Sequence, residues 1–355
     1  MVIAVAACLF LGPAPGAFGT GTAVAAGQGR SASAGPLTVL PEDGRAVYLD
    51  AFAAAERQIR IEICVLEDPE ILQGLQAALA RGVRVRVIVD QGKYAALTAE
   101  QANLAQYLTG SGGELHLSNP VFPRAFPKII VIDDALLVFG SACLDQTTFT
   151  QYRDFALRDS TRRVVRSAIR LFENDWGLSA PVGAPAPALN PTPAIADANL
   201  LVAPINATTG LVSLYRRARR TLDVYSEELG NPTLGAELAS AAARGVRVRL
   251  ITPILVNGAP PAFQAQQDAA VAALAAAGVH IRTSGPVQSA TQPYMHARAA
   301  VVDGGRLGYV GSISLSPDSA TVNREFGMVL HRGRALRELR DRFEADFATL
   351  TPVPS

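Results

Sequence analysis

The alternation of apolar and polar residues occurs twice along this chain in the same form. "VRVRVIV" at 83–89 and "VRVRLIT" at 246–252 both have the two-residue period of a β-strand. Each run follows an apolar-periodic helix that ends at "RGV". Further along, each copy has two short apolar strands around a tight turn and then a closing helix. The pattern therefore predicts two α/β units.

Further blocks recur in the same order. "ARGVRVRVIVD" begins at residue 80 and "ARGVRVRLITP" at residue 243, an offset of 163. "GSACLDQTTFTQYRDF" begins at 140 and "GSISLSPDSATVNREF" at 311, so the offset has grown to 171 by this point. The second copy is therefore longer, near "ILVNGAPPAF". Ordered repetition predicts two homologous lobes related by a pseudo-twofold axis, with the active cleft at their interface.

The repeat and the composition together divide the chain into four segments. Residues 31–176 form the first lobe and 205–348 the second lobe. The segment 177–204 between them contains "APVGAPAPALNPTPA", which has five prolines and no charge and is typical of a stiff, exposed linker. Residues 1–30 are predicted to be an export signal, because "MVIAVAACLFLG" is apolar and "AVAA" offers a small-residue cleavage site.

Export would place the mature chain in the periplasm or outside the cell. "VAAC", ending at Cys8, also fits a lipoprotein processing site and hence a lipid anchor, although this is the weaker interpretation. In an oxidising compartment Cys64 and Cys143 could form a bridge. Spacing alone cannot show that they meet, so two separate buried thiols remain an equal alternative.

Charge limits the function classes. The chain has 32 basic and 31 acidic residues, so no global field favours nucleic acid. Of the basic residues, only Lys93 and Lys128 are lysines. Arginine does not easily replace a compact ammonium whose pKa can be tuned, so each lysine is a candidate for a specific role.

The candidate chemistry lies in "YMHARAAVVD" at 294–303. On a strand, residues i and i+2 point to the same face, so His296 and Arg298 are expected to project together. In the equivalent "FPKIIVID", Phe126 and Lys128 have the same spacing. If the lobes pack symmetrically, an imidazole, an ammonium and a guanidinium converge. Such a set suits a phosphodiester, because cations hold its oxygens while imidazole attacks phosphorus or moves a proton.

The order H-x-[K/R]-x4-D, then G-S, then N-x-E resembles the phospholipase D superfamily, whose signature is HxKxxxxD. The resemblance covers 44–176 and 205–347. It implies a two-lobed α/β fold that acts on phosphodiesters without a metal or other cofactor. One motif histidine forms a phosphohistidine, and a second protonates the leaving alcohol and then activates water or an acceptor alcohol.

Carried over by position, the resemblance makes His296 the nucleophile, Glu325 the acid that orients it, and Lys128 the one motif lysine. Asp133 and Asp303 are expected to hold their hairpins rather than take part in the chemistry. The phosphate-binding residues implied are Arg298, Asn323, Ser312 and Ser141.

The first copy departs from the motif. Phe126 stands where histidine belongs, Tyr152 where asparagine belongs, and Asp154 where the acid belongs. Asp154 is therefore expected to be a structural group with no histidine to orient. A two-histidine cycle is not available within one chain, and pairing two chains adds another copy of the same incomplete set. Either His296 still attacks while water or another side chain protonates the leaving group, or the cleft only binds ligand.

The leading prediction is a phospholipase D-like enzyme of reduced activity that hydrolyses a phospholipid or transfers its phosphatidyl group. A catalytically dead binder of phosphate or lipid and a metal-independent nuclease are the alternatives. The expected partner is a phospholipid or other phosphodiester, with contact to a membrane surface left open and nucleic acid less favoured. We expect a monomer with an internal pseudo-dimer. The Glu227–Glu228 pair is interpreted as solvated or arginine-paired carboxylates rather than an acid–base dyad.

Overall fold

The computed structural model describes residues 35–97, 107–187 and 197–354. The export signal predicted at 1–30, with its alternative lipoprotein site, lies outside the described residues, and so does the middle of the linker, 188–196. Both lobes belong to one compact unit. Within the described ranges, we find no helix with the length and apolar character needed to cross a membrane.

The first lobe contains short helices and a mixed sheet. Its strands are β1 (Thr38–Leu40), β2 (Gln58–Ile63), β3 (Arg84–Val89), β4 (Glu114–Leu117), β5 (Ala125–Phe126), β6 (Ile129–Ile132), β7 (Leu136–Gly140), β8 (Tyr152–Asp159) and β9 (Ala180–Pro181). Its helices include Ala46–Ala53, Pro69–Ala80, Gln91–Ala95, Gln146–Thr150 and Arg162–Leu178.

The second lobe repeats this order. Its strands are β10 (Leu200–Ala203), β11 (Thr221–Tyr225), β12 (Arg247–Pro253), β13 (His280–Ser284), β14 (Tyr294–Met295), β15 (Ala299–Val302), β16 (Leu307–Gly311), β17 (Arg324–His331) and β18 (Thr351–Pro352). Its helices include Ala207–Arg216, Pro232–Ala243, Pro261–Ala276 and Arg334–Thr349.

The two sheets have the same topology. The first runs β1-β8-β7-β6-β2-β3-β4-β9, and the second runs β10-β17-β16-β15-β11-β12-β13-β18. Each strand number of the second order is nine higher than the number at the same place in the first order, so equivalent strands occupy equivalent places. In each of these orders the three strands of the helix–strand repeat pair in parallel and the remaining neighbours pair antiparallel. The two tandem α/β lobes predicted from the repeat are therefore confirmed.

Equivalent residues begin equivalent helices. Asp68 accepts hydrogen bonds from the backbone N–H groups of Glu70 and Ile71, directly before the helix that starts at Pro69. Asn231 caps the helix that starts at Pro232 in the same way. A capping side chain satisfies N–H groups that have no partner inside the helix, and proline fits the first helical position because it has no N–H to satisfy.

The alternating strands are buried on both faces, unlike the half-exposed strands that the period suggests. Arg86 of β3 is buried, because its guanidinium lies against the ring of Trp176 and is paired with Glu173. Arg249 of β12 is also buried and is paired with Glu344. The closing helix of each lobe supplies these partners. An arginine can be buried in this way when its charge is paired and its stem packs against an aromatic ring.

Each lobe adds a short strand to the sheet of the other lobe. β5 of the first lobe pairs in parallel with β17, and β14 of the second lobe pairs in parallel with β8. This exchange places Phe126 opposite Glu325 and Tyr294 opposite Tyr152. Two-residue strands are too short to have a sequence period and are therefore not predictable from the pattern. They decide which residues meet at the interface.

Buried ion pairs join the lobes at equivalent positions. Arg153 Nε donates to Asp346 Oδ2 at 2.9 Å, and Arg324 Nε lies 3.1 Å from Asp175 Oδ2. Each pair has one member in each lobe. Breaking such a buried pair leaves an uncompensated charge, which costs about 3–5 kcal/mol. The lobes are therefore held in one relative orientation.

The beginning of the proline-rich segment is not a free linker. Ala180 and Pro181 form β9, and Leu117 of β4 pairs with Ala180. Ala180 is buried, and Asn119 Nδ2 donates to the carbonyl of Pro187 at 2.7 Å. The prediction of a linker over 177–204 is thus wrong at both ends, because these first residues complete the edge of the first sheet and Leu200–Ala203 form the buried strand β10.

Candidate active site

A cleft of about 780 Å³ lies between the lobes and brings the candidate residues together. Phe126 and Lys128 line it from the first lobe, and His296 and Arg298 line it from the second. The predicted convergence is therefore present. The side chains do not project from a strand as predicted, because Lys128 follows β5 and the stretch 296–298 lies between β14 and β15.

His296 is held by a carboxylate of the other lobe. Its Nδ1 lies 2.7 Å from Asp154 Oδ2. Burial by itself would raise the pKa of Asp154, but the charge and hydrogen bond of His296 outweigh it, so this pKa lies below its usual value. An ionised carboxylate can only accept, so Nδ1 carries the proton and donates it. In the neutral imidazole this leaves the lone pair on Nε2.

This contact corrects two expectations. Glu325 is not the acid that orients His296, and Asp154 is not a group without a histidine. The reason is the strand exchange: β14 places the residues before His296 beside β8, which carries Asp154. The motif acid of each copy therefore faces the motif position of the other copy.

Ser141 connects Asp154 to Lys128. Its hydroxyl donates to Asp154 Oδ1 at 2.5 Å and accepts from the backbone N–H of Phe155 at 3.0 Å. Its carbonyl accepts a hydrogen bond from Lys128 Nζ. The Ser141 hydroxyl is thus fully engaged in positioning Asp154, and the structure does not leave it free to bind phosphate as predicted.

Lys128 is the buried ammonium of the cleft. Burial, followed by the neighbouring charge of Arg298, lowers its pKa to about 8. Across the part of the chain that the structure describes, no Asp or Glu oxygen lies within 4.0 Å of Nζ. Its backbone φ of +53° is in the left-handed region, where non-glycine residues are uncommon and cluster at functional sites.

Arg298 is buried between a carboxylate and the imidazole. Its Nη2 donates to Glu227 Oε2. Its Nη1 lies 3.2 Å from Nδ1 and 3.0 Å from Nε2 of His296, and it donates to the His296 carbonyl at 2.7 Å. The in-plane bonding directions of Nδ1 and Nε2 diverge, so one nitrogen at these distances from both must lie over the face of the ring. Burial opposes the charge, but Glu227 outweighs it and raises the pKa of Arg298 above its ordinary value.

Glu227 has a larger place in the site than a solvated or arginine-paired carboxylate. It lines the cleft, accepts from the Tyr294 hydroxyl at 2.7 Å, and places Oε2 3.7 Å from His296 Nε2. Burial would raise its pKa, but the charges of Arg298 and then His296 lower it overall. Its pairing with arginine agrees with the prediction. Its neighbour Glu228 forms a more exposed pair with Arg124 at 3.1 Å.

Glu325 lies behind the first-lobe side of the cleft. Its Oε1 accepts from Ser319 at 3.0 Å and from Asn323 at 3.4 Å, whereas Oε2 is buried without a hydrogen-bond partner. Burial raises its pKa to about 7, against the lowering effect of Ser312 and of the nearby cations. Asn323 and Ser312 therefore surround a carboxyl group, and neither lines the cleft with Lys128 and Arg298.

The motif aspartates lie at the hairpins. Asp133 accepts from the backbone N–H groups of Glu56, Arg57 and Gln58, and Asp303 accepts from the three equivalent groups at 219–221. Burial would raise the pKa of each aspartate, but these N–H groups lower it. Both residues have positive φ. They hold the start of β2 and β11, which is the hairpin role predicted for them.

Cys64 and Cys143 form a disulfide at the edge of the cleft, with their Cα atoms 6.0 Å apart. The bridge resolves the alternative that spacing left open. The repeat aligns Cys64 with Glu227 and Cys143 with Ser314. A covalent link in the first lobe therefore occupies the place of polar residues in the second.

The site has no sign of a metal centre in the part of the chain that is described, because no group of three or more His, Cys, Asp or Glu side chains there is arranged to hold an ion. Asp154 and Glu227 are the functional candidates that sequence reasoning missed. The signal for Asp154 was its alignment with Glu325; the repeat could show that the two were equivalent, but not that they exchange lobes.

Two repeated α/β lobes with a histidine–aspartate pair and two cations in a shared cleft define a protein of the phospholipase D type. Residues 48–176 and 211–347 match the family described as cardiolipin synthase, PLD-like domain. These segments cover more than half of the chain, which therefore belongs to this family. The resemblance found in the sequence is confirmed.

Solved structures agree with this fold. Phosphatidylserine synthase of Haemophilus influenzae Rd KW20 aligns with a TM-score of 0.70 and 13% identity, over 90% of this chain and 87% of that chain. Polyphosphate kinase of Porphyromonas gingivalis aligns with a TM-score of 0.61 and 19% identity over 90% of this chain. The present chain covers 48% of the kinase. At these identities the likeness shows the fold alone. A search of curated proteins found no significant match.

Proposed function

We propose that this chain is a phosphodiesterase that hydrolyses a phospholipid, or transfers its phosphatidyl group, through His296. The observation that carries the proposal is the hydrogen bond from His296 Nδ1 to Asp154 in a cleft that also contains Lys128 and Arg298. Membership of the family described as cardiolipin synthase, PLD-like domain, supports both phosphoryl transfer and a phospholipid substrate.

The imidazole is prepared for nucleophilic attack. Asp154 holds the Nδ1 proton, so the lone pair of Nε2 is available to phosphorus, and the carboxylate stabilises the positive charge that forms on the ring. Attack by Nε2 would form a P–N bond and expel an alcohol. Water or an acceptor alcohol would then release the phosphoryl group from the histidine.

The charges of the cleft favour a phosphodiester over a phosphate monoester. Lys128 and Arg298 supply two cations, but Asp154 and Glu227 are ionised carboxylates in the same cluster. A diester adds one negative charge, whereas a monoester near neutral pH adds close to two, and like charges at close range are costly. Arg298 must share its guanidinium between Glu227 and the substrate.

The cleft also has an apolar side. Val256 and Phe263 line it, and the adjoining Ile254 and Leu255 are about half exposed, at 48% and 52%. This arrangement supports a substrate with an apolar portion. The arginines at 162–170 and 216–220 that a nuclease could use are exposed and lie outside the cleft lining, so a nucleic acid substrate has less support.

A non-catalytic binder is the second candidate. Phe126 stands where the second proton-transfer group belongs, and Arg298 already donates a hydrogen bond to Glu227. General acid–base catalysis contributes roughly 100- to 10,000-fold, so a site without its second histidine is expected to be slow even when it is active. The two candidates make opposite predictions for product formation.

We also propose that the chain works outside the cytosol. The Cys64–Cys143 bridge supports this, because structural disulfides persist mainly in oxidising compartments. Comparing the size and location of the expressed protein with and without residues 1–30 tests the export signal. If the protein that carries residues 1–30 is recovered uncleaved in the cytosol, like the protein without them, the export signal is contradicted.

The function is tested with vesicles that contain head-group-labelled phospholipid. We expect slow release of head group that His296→Ala abolishes and that His280→Ala, at an exposed histidine, leaves unchanged. Alkaline denaturing quench with a diester labelled at phosphorus should trap a phosphohistidine that is absent from His296→Ala. Vesicle binding without product or phosphohistidine would establish the binder instead, and plasmid degradation in EDTA would establish the nuclease.

A further inference from the structure

The site lacks an evident proton donor for the leaving alcohol. Phe126 occupies the position of the second histidine, and a phenyl ring cannot carry a proton. In phosphoryl transfer the attacking and leaving atoms lie roughly in line on opposite sides of phosphorus. The missing donor must therefore lie across the cleft from His296 Nε2.

Two polar groups of the cleft lie close to His296. Glu227 Oε2 is 3.7 Å from Nε2 itself and is paired with Arg298. The ring of Tyr152 packs beside the imidazole, with 5.2 Å between ring centroids. Both groups are on the nucleophile's side of a bound phosphorus atom.

Lys128 is the ionisable residue next to the vacant motif position. It belongs to the opposite lobe, lies two residues after Phe126 and lines the same cleft. Its Nζ donates to the Ser141 carbonyl, which uses one of its three N–H groups and holds the side chain in position. Within the described residues, it lacks the carboxylate partner that occupies Arg298.

We propose that Lys128 is the general acid and general base of this cleft and replaces the histidine that Phe126 displaces. The proposal rests on the phosphodiesterase function proposed above. In the first step, His296 Nε2 forms a bond to phosphorus, the bond from phosphorus to the leaving oxygen breaks, and that oxygen takes a proton from the Lys128 ammonium. An alcohol and a neutral amine result.

In the second step, the Lys128 amine takes a proton from water as the water oxygen attacks phosphorus. The P–N bond breaks, the electron pair returns to Nε2, and a phosphate monoester leaves. Lys128 is again an ammonium, so the cycle is balanced. The surrounding charges of Arg298, Asp154, Glu325 and Glu227 act on this exchange, and burial brings the pKa of Lys128 to about 8. A group with this pKa can lose and regain a proton near neutral pH.

The test compares Lys128→Arg with Lys93→Arg. Arginine keeps the positive charge but does not give up its proton in proteins. Lys93 lines the same cleft, is exposed and is the other lysine of the chain, so its variant is a matched control. Two substrates are used: a diester with an alkyl alcohol as leaving group, and one that releases p-nitrophenolate, which leaves without a proton.

We expect Lys128→Arg to lower kcat for the alkyl diester by about 100- to 10,000-fold. For the p-nitrophenyl diester it should release nitrophenolate in a burst equal to the enzyme concentration, because phosphohistidine forms but water is not activated. Lys93→Arg should behave as the unmodified protein on both substrates. Equal losses on both substrates without a burst would overturn the role and leave Lys128 as a phosphate-binding cation.

Chemical rescue covers the case in which arginine does not fit. Lys128→Ala is assayed with added primary amines, and we expect restored turnover of the alkyl diester that varies with the basicity of the amine. Rescue independent of that basicity would overturn proton transfer. Neither turnover nor phosphohistidine in the unmodified protein, on either substrate, would overturn the proposed function and this role together. The two failures are therefore distinguishable.

Discussion

Glu325 lies opposite Phe126 where β17 and β5 pair in parallel, and its buried Oε2 has no hydrogen-bond partner. On the other side of the pseudo-twofold axis, the equivalent Asp154 holds His296. The first-lobe half of the site has therefore kept its carboxyl group and lost the ring that such a group would orient. A buried polar atom without a partner costs about 1–3 kcal/mol, which makes this a defined defect.

Phe126→His should repair this defect. A histidine at this position would have Glu325 as a hydrogen-bond acceptor and would provide a second group for proton transfer. We expect faster turnover of an alkyl diester, by 10-fold or more, within the roughly 100- to 10,000-fold range of general acid catalysis. Steady-state kinetics measure the change.

Phe126→Leu and the double variant Phe126→His/Glu325→Gln are the controls. The first removes the ring without adding a proton donor, and the second removes the acceptor, so neither should show the gain. A similar gain in Phe126→Leu would mean that space in the cleft, rather than proton transfer, limits the reaction. Combined with Lys128→Arg, Phe126→His should restore turnover if the two groups share one role.

Asp154→Asn should impair the nucleophile. An amide in place of the carboxylate can favour the wrong tautomer of His296 and no longer stabilises the ring charge, and the comparable change in a serine protease lowers kcat about 10,000-fold. We expect a loss of about 1,000-fold or more in phosphohistidine formation. Glu325→Gln should change this step less than 10-fold. A larger loss in Glu325→Gln than in Asp154→Asn would mean that Glu325 is the acid that orients His296.

Glu325→Gln should stabilise the protein at alkaline pH. The pKa of Glu325 is about 7 in the folded protein, against 4.5 for the ordinary value. Between these values the folded state binds more protons than the unfolded state, so stability falls as pH rises from 4.5 through 7. The variant avoids this loss. We expect a gain of up to about 3 kcal/mol at pH 8 and none at pH 4, since one pKa unit corresponds to about 1.4 kcal/mol.

Denaturant unfolding at the two pH values measures this effect, with the exposed Glu56→Gln as control. A gain of the same size at pH 4 and pH 8 would show that the variant acts through packing rather than through the proton.

Removal of the disulfide should destabilise the first lobe. Cys64 and Cys143 are 79 residues apart, and the bridge restricts the unfolded chain over this length. Cys64→Ser/Cys143→Ser should therefore lower the free energy of unfolding by about 2–4 kcal/mol. Reductant should shift the unfolding midpoint of the unmodified protein and leave the double variant unchanged. If reductant shifts neither protein, the two thiols are not bridged in solution.

The sequence by itself determined the repeated α/β unit and the chemical content of the cleft. Strand and helix periods are local properties, so "VRVRVIV" and "VRVRLIT" were sufficient to place equivalent elements in both copies. The family motif then selected His296, Arg298 and Lys128, which all line one cleft. The loss of the second histidine could also be read directly, at Phe126.

The partners of those residues were decided by the tertiary structure. A repeat shows that Asp154 and Glu325 are equivalent, but it does not show which histidine position each one faces. That choice is made by β5 and β14, two-residue strands whose hydrogen bonds go to the sheet of the other lobe. Such bonds connect residues far apart in sequence and leave no local period. For this reason the sequence assigned His296 to Glu325, whereas the folded chain pairs it with Asp154.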